Sequence, residues 1–282
     1  MWLTHRHAVR YSDIPTNRIL EFSQETGEVS VYSDAAEYTN GRTLDLDGSV
    51  VQCSHGRRAV ERDRDGRVST LVDRWRNVRF NSPNDVVVRS DGTIWFTDPS
   101  YGISKADEGH PGDLEYGDHY VFRFEPDTGR VDPVVIDIEM PNGLAFSPDE
   151  SVLYVSDSSV APPSGTADPR RPGGHAIHAY DVYEGRHAKN GRTLAVVGPG
   201  LPDGFRVDVE GNVWTSSGDS VQVLSPAGEL LERVPVPETV ANVCFGGDDG
   251  RTLYITATTS LYRIRTTTTD AAAAARAPAA TG

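Results

Sequence analysis

The chain has 282 residues, 24% charged and 37% hydrophobic, which is the balance of a globular protein long enough to bury a substantial core. Its formal charge of -14 and the absence of a basic stripe argue against nucleic acid or an anionic membrane as a partner, since phosphate binding needs clustered Lys and Arg. No run of 18 apolar residues and no basic-then-apolar leader occurs, so no membrane association and a cytoplasmic setting are expected.

Runs of four to seven Val, Ile, Tyr and Trp alternate with Asp-Gly, Asp-Glu, Thr-Gly and Pro-Asp turns, and no 3.6-residue period is sustained, so the chain reads as all β. Taken in order, five copies of one phrase begin with Asn or Asp. They are Asn40-Gly41-Arg42-Thr43-Leu44-Asp45, Asn84-Asp85-Val86-Val87-Val88-Arg89, Asn142-Gly143-Leu144-Ala145-Phe146-Ser147, Asp203-Gly204-Phe205-Arg206-Val207-Asp208 and Asn242-Val243-Cys244-Phe245-Gly246. Most are followed by an acidic or Gly-rich turn and a strand ending in small polar residues, as in Thr93-Ile94-Trp95-Phe96-Thr97-Asp98 and Leu153-Tyr154-Val155-Ser156-Asp157. The leading residues are 44, 58, 61 and 39 positions apart, which brackets the length of a four-stranded propeller blade. A six-bladed β-propeller is therefore expected over residues 1–265, as a single domain. The first blade is the odd one. Laying the third copy over the N-terminus pairs Phe146 with Trp2 and Asp157 with Asp13, and the partner of Asn142 then falls three residues before Met1.

Long loops are expected at Asn77 to Asn84, Asp98 to His119 and Ser158 to His175, the last with Ala161-Pro162-Pro163-Ser164-Gly165. Long loops on one face of a scaffold shape pockets. From Thr266 a Thr-rich stretch leads into an alanine run, and 266–282 is read as a disordered tail with no apolar face to bury. Cys53 and Cys244 sit in strand patterns rather than at metal-ligand spacings and are read as buried thiols.

A polar residue that opens the innermost strand of a blade faces the mouth of the central channel, so the five Asn and Asp residues converge. A ring of amides with one carboxylate suits a hard, oxygen-preferring cation, and the repeat alone predicts a metal site. Asp98, Asp157 and Tyr101, at strand ends or loop starts, are candidates for the pocket rim. His55, in Cys53-Ser54-His55-Gly56, is a candidate to project into the channel from a second strand. No Gly-x-Ser-x-Gly elbow, P-loop or dinucleotide fingerprint stands in a fitting context, which argues against a serine hydrolase.

Ser82-Pro83-Asn84-Asp85-Val86, Phe96-Thr97-Asp98-Pro99-Ser100-Tyr101-Gly102, Pro141-Asn142-Gly143-Leu144-Ala145-Phe146-Ser147 and Pro202-Asp203-Gly204, with Ser12-Asp13-Ile14-Pro15 before them, occur in the order found in senescence marker protein (regucalcin), gluconolactonases and related lactonases. The chain resembles that family to Arg265. The resemblance implies a six-bladed propeller holding one divalent cation, usually Ca2+, with Zn2+, Mg2+ or Mn2+ also accepted. It assigns two of the family's metal ligands to Asn142 and Asp203. The third, a Glu in a Glu-Gly-Pro motif followed by Val-Trp, is missing where Met1-Trp2 stands, which is the place the internal repeat also leaves blank. A start read too late would give this pattern, and loss of a ligand is the rival account.

On that resemblance the expected activity is hydrolysis of a sugar lactone, glucono-1,5-lactone or a related aldonolactone, by a monomer or small homo-oligomer. The cation would polarise the carbonyl, Asp203 would act as general base, and Asn84 would hydrogen-bond substrate hydroxyls. Family members with an Arg two residues before this Asn use it on the substrate, and here the position is Ser82. Two alternatives stay open: a phosphotriesterase or aryl esterase on the same site, and a propeller that binds calcium or sugar without turnover.

Overall fold

The structure, a computed structural model, describes residues 1–159 and 174–276. Six antiparallel sheets follow one another along the chain, each a meander in which consecutive strands pair. Blade I is Trp2–Leu3, Ala8–Asp13, Arg18–Ser23 and Val29–Ser33, and blade II is Thr39–Leu44, Val50–Ser54, Ala59–Arg64 and Arg67–Val72. Blade III is Val86–Val88, Ile94–Asp98, Tyr120–Glu125 and Arg130–Val135; blade IV is Pro141–Phe146, Val152–Asp157, Ala176–Tyr183 and His187–Val196. Blade V is Phe205–Val207, Val213–Ser216, Ser220–Leu224 and Leu230–Pro235, and blade VI has three strands, Val240–Gly246, Thr252–Ala257 and Leu261–Arg265. A hairpin of Arg74–Trp75 and Val78–Arg79 breaks the expected loop before Asn84.

The turn after the first strand repeats with the sequence. In blades II, III and V the amides of Asp45, Arg89 and Asp208 donate to the carbonyls of Ser49, Thr93 and Asn212. Gly48, Gly92 and Gly211 take the left-handed conformation that this loop needs, at φ of 81°, 82° and 87°. Register in blade I follows the repeat: Trp2 faces Val9 as Phe146 faces Leu153. The first strand there is two residues long, against six for Pro141–Phe146.

Five apolar clusters fill the seams between neighbouring blades. Blades II and III meet through Val51, Phe80, Val86, Phe96 and Phe122, and blades VI and I through Cys244, Tyr254 and Val9, with Trp2 stacked on Tyr254 at 5.8 Å and 10°. The seam between blades I and II is built differently. Buried Arg10 pairs with Glu21 at 2.9 Å and Asp63 at 3.4 Å and lies over the Tyr32 ring, while Tyr32 donates to Asp63 at 2.8 Å. Each charge there keeps a partner, which is what makes its burial tolerable.

The expectation of a disordered tail from Thr266 fails for residues up to 276. Asp270 forms a bridge with Asp208, Val209 N donates to Thr269 O at 3.0 Å, and Thr268 is buried. The Asp270 carboxylate accepts from Ala272 N at 2.7 Å and caps a helix over Ala271–Arg276. Composition hid an N-cap placed directly before an Ala run, the strongest helix former. The rest of the tail, and the Pro-rich segment at Ala161 to Gly165, lie outside the described residues. Among the described residues no helix is long and apolar enough to cross a membrane.

Candidate active site

All five repeat-leading residues, Asn40, Asn84, Asn142, Asp203 and Asn242, line one cavity of about 760 Å³ at one mouth of the channel. Backbone bonds between blades hold them there. Gly41 N donates to Asn84 O at 2.7 Å, Gly143 N to Asp203 O at 3.2 Å, and Gly204 N to Ala241 O at 2.8 Å. Hydroxyls at the ends of the second strands add a further belt: Ser12 donates to Asn40 O, Thr97 to Asn142 O and Ser156 to Asp203 O, at 2.8, 2.7 and 2.8 Å. The Asn-Gly pairs are thus not turns. A Cβ on Gly143 would lie 2.3 Å from Asp203 O, and one on Gly204 would lie 2.0 Å from Asn242 Cγ, so glycine is required for adjacent strands to approach.

Asn84 and Asn142 are buried, while Asp203 stays partly open to the cavity. Burial pushes the Asp203 carboxyl up to about 7, reinforced by the charges of Asp85 and Glu108; a hydrogen bond from Asn142 and the ammonium of Lys105 hold it back. Asp203 can therefore both take and release a proton near neutrality. Tyr101 enters the cavity from the short helix Tyr101–Ser104, and burial, then the Asp203 charge, raises its phenol far above the ordinary range. It stays a neutral hydrogen-bonding group.

Three expected pocket residues do not line the cavity. His55 is fully buried with Nδ1 2.9 Å from Glu108 O and Nε2 3.3 Å from Asn40 Nδ2, and burial lowers its pKa. His55 packs under Gly102, where an added Cβ would lie 2.5 Å from its Cβ and 2.7 Å from its ring, so it props the loop that carries Tyr101, Lys105 and Glu108. Asp98 accepts from Asn81 N, Ser82 N and Tyr116 Oη at 2.8, 2.8 and 2.7 Å. Asp157 accepts from Met140 N and Ser159 N at 3.1 and 2.9 Å. Both carboxylates are buried and tie down the chain that enters or leaves a strand, the ordinary work of Asp at a turn. Ser82 is likewise turned inward, donating to Pro99 O at 2.6 Å.

Sequence reading passed over Lys105 and Glu108, an ion pair of 2.7 Å on the rim, and Arg42 and Arg206, which line the channel. Arg42 and Arg206 stand inside the repeats, two and three positions after the leading residue. A charge within a strand that is otherwise apolar was the available signal.

As a cation seat, the cavity offers the side-chain oxygens of Asn84, Asn142 and Asp203. Among the described residues no three His, Cys, Asp or Glu side chains gather as a metal nest. Amide and carboxylate oxygens are hard donors, and both ring nitrogens of His55 are engaged elsewhere, so the residues present fit an oxygen-preferring divalent ion.

Against known proteins, the SMP-30/Gluconolactonase/LRE-like region matches residues 1–259. The chain is similar to a gluconolactonase of Zymomonas mobilis, 32% identical over 289 aligned residues that cover 95% of this chain and 78% of that one. It is also similar to the solved structure of a gluconolactonase from Xanthomonas campestris, with 39% identity, a TM-score of 0.83 and coverage of 94% and 84%. A calcium-binding regucalcin from Agrobacterium tumefaciens shares the fold, at 16% identity, a TM-score of 0.72 and coverage of 92% and 81%.

Proposed function

The chain belongs to the SMP-30/gluconolactonase/LRE-like family, and from that premise we propose that it is a lactonase, adding water across the cyclic ester of a sugar lactone with Asp203 as the base. The observation that carries this reading is the convergence of Asn40, Asn84, Asn142, Asp203 and Asn242 on one open cavity. Within it Asp203 is the residue of the repeat that can accept a proton.

In this reading the lactone lies against the amides, with Asn84 and Asn142 donating to its carbonyl and hydroxyl oxygens. Asp203 takes a proton from water as the water oxygen bonds to the carbonyl carbon. The ring C–O bond then breaks, the departing oxygen is protonated, and an aldonic acid leaves that ionises in solution. Positioned base catalysis is worth roughly 10²- to 10⁴-fold. Neutral Tyr101 donates to a substrate oxygen and closes one side of the cavity. A divalent cation, calcium by analogy with the regucalcin relative, would be held by Asn142 and Asp203 with Asn84 beside them, and when bound it supplies polarisation of the lactone carbonyl.

The test is proton release from glucono-1,5-lactone above the spontaneous rate, in calcium, zinc and chelator. Turnover by the wild-type chain and a loss of ~10²-fold or more in Asp203→Asn are expected. Turnover that survives Asp203→Asn unchanged would refute the assignment of the base.

A further inference from the structure

Below the lactone cavity the channel narrows and opens again into a second cavity of about 510 Å³ at the opposite mouth. Four residues line both cavities and so form the waist: Met1, Arg42, Arg206 and Cys244. Arg42 comes from blade II and Arg206 from blade V, which stand opposite each other in a ring of six. We propose that the waist is an anion-binding site in which the guanidinium groups of Arg42 and Arg206 take a small monovalent anion, a halide or a carboxylate.

Arg42 carries the argument. It is 4% exposed, its Nη2 donates to Ser12 Oγ at 2.6 Å, and its Nε and Nη1 have no partner among the described residues. Among the described residues no carboxylate forms a hydrogen bond or ion pair with it, although the charge of Asp63 acts on it from a distance. The nearby acid Asp63 already accepts from Arg10, Tyr32 and Gly66 N, and Arg62 has taken Asp45. Burial, then repulsion from Arg10, lowers the Arg42 pKa to about 9, the mark of a cation lacking a counter-ion. A buried guanidinium with two idle nitrogens, three N–H groups in all by its chemistry, is expensive unless something ionised accepts them. Arg206 donates to Phe205 O at 2.6 Å and reaches Asp85 only at 3.9 Å, so it too has donors to spare. Guanidinium N–H groups donate to halides and, as a fork, to planar carboxylates, and burial of Arg42 strengthens the attraction.

Two sources of such an anion are open: a free inorganic ion, and the carboxylate of a sugar acid that extends down from the lactone site. Thermal unfolding of the full chain in rising bromide tests the site, at constant ionic strength made up with a bulky organic anion. A saturable rise in Tm is expected, with the apparent affinity at least tenfold weaker in Arg42→Met, and bromide-soaked crystals should show an anomalous peak within hydrogen-bond distance of Arg42 Nε or Nη1. Should Arg42→Met fail to fold, Arg206→Met and the wild-type diffraction carry the test. Tighter protection by glucarate than by gluconate, lost with bromide present, would assign the carboxylate source; equal protection would assign the free ion. The proposal is overturned if wild-type protein shows neither saturable stabilisation nor a peak at the waist, or if Arg42→Met binds bromide as the wild type does. None of these readouts depends on lactone turnover, so they fail separately from the lactonase reading.

Discussion

Gly143→Ala tests how the site is built, because the crowding falls on the backbone of the proposed base and leaves its side chain in place. The added Cβ would lie 2.3 Å from Asp203 O and 3.1 Å from both Gly204 Cα and Phe205 Cδ1. Ordinary contact begins near 3.4 Å, so blade V must move away by about 1 Å or the strand of Gly143 must twist. Either response strains the bond from Gly143 N to Asp203 O, now 3.2 Å, and the 2.8 Å bond from Ser156 Oγ to the same carbonyl. Overpacking costs roughly 1–3 kcal/mol and a weakened hydrogen bond about 1 kcal/mol, so urea unfolding should show a loss of about 2–4 kcal/mol. A misplacement of about 1 Å at a catalytic group is worth on the order of 10²-fold in rate, and kcat/KM for the lactone should fall accordingly. Gly27→Ala is the control. Its Cβ would meet nothing within 4 Å, and its cost is the left-handed φ of 75° alone, about 1–2 kcal/mol with no effect on turnover. Wild-type kcat/KM together with a loss below that of the control would show that the Asn-Gly pairs do not set the spacing of the ring.

Asp98→Asn and Asp203→Asn should separate two carboxylates, one fully buried and one partly open to the cavity, that share a pKa near 7. The first sets an amide against one of three donors and should cost about 1–3 kcal/mol in urea unfolding while kcat/KM changes little; a large kinetic loss would place Asp98 in the chemistry. Both carboxyls are lifted from the usual value of 3.8 chiefly by burial, so between about 4 and 7 the folded chain holds protons that the unfolded chain has released. Their stabilising contribution is complete below pH 4 and is lost as pH rises through 7. Melting temperature in chelator should therefore fall from pH 5 to 8, less steeply in Asp98→Asn. Because a cation at Asp203 competes with its proton, calcium affinity should drop up to tenfold per pH unit below 7 and level off above it; a flat profile in calorimetry would contradict the ligand assignment. Trp2→Ala removes the stack on Tyr254 that closes blade VI on blade I, and a loss of about 2–4 kcal/mol is expected in urea unfolding.

Much of the architecture was legible because a propeller writes its period into the chain. Five leading residues gave the blades, and the offset between Phe146 and Trp2 gave the register of the first one, since strand pairing in each blade obeys the same turn. The same periodicity put Asn40, Asn84, Asn142, Asp203 and Asn242 in one cavity. What the repeat could not give was direction. Asp98 and Asp157 end second strands just as a pocket residue would, yet their carboxylates turn to the amides of Asn81 and Ser82, and of Met140 and Ser159, because chain entering a buried strand leaves N–H groups that must be answered. His55 was placed on the correct strand end and turned under the Tyr101 loop by the absence of a side chain at Gly102. The glycine of each Asn-Gly pair is needed for a neighbour on the next blade, far away in sequence, and no local rule records that need. The charged seam between blades I and II was hidden for the same reason. Arg10, Glu21, Tyr32 and Asp63 are ordinary surface types until the ring closes on them, and Arg42, beside them, is the one cation of that group left without an acid. A repeat specifies where the blades stand, while the departures from it, at Arg42, Arg206 and Asp203, specify what the channel through them can hold.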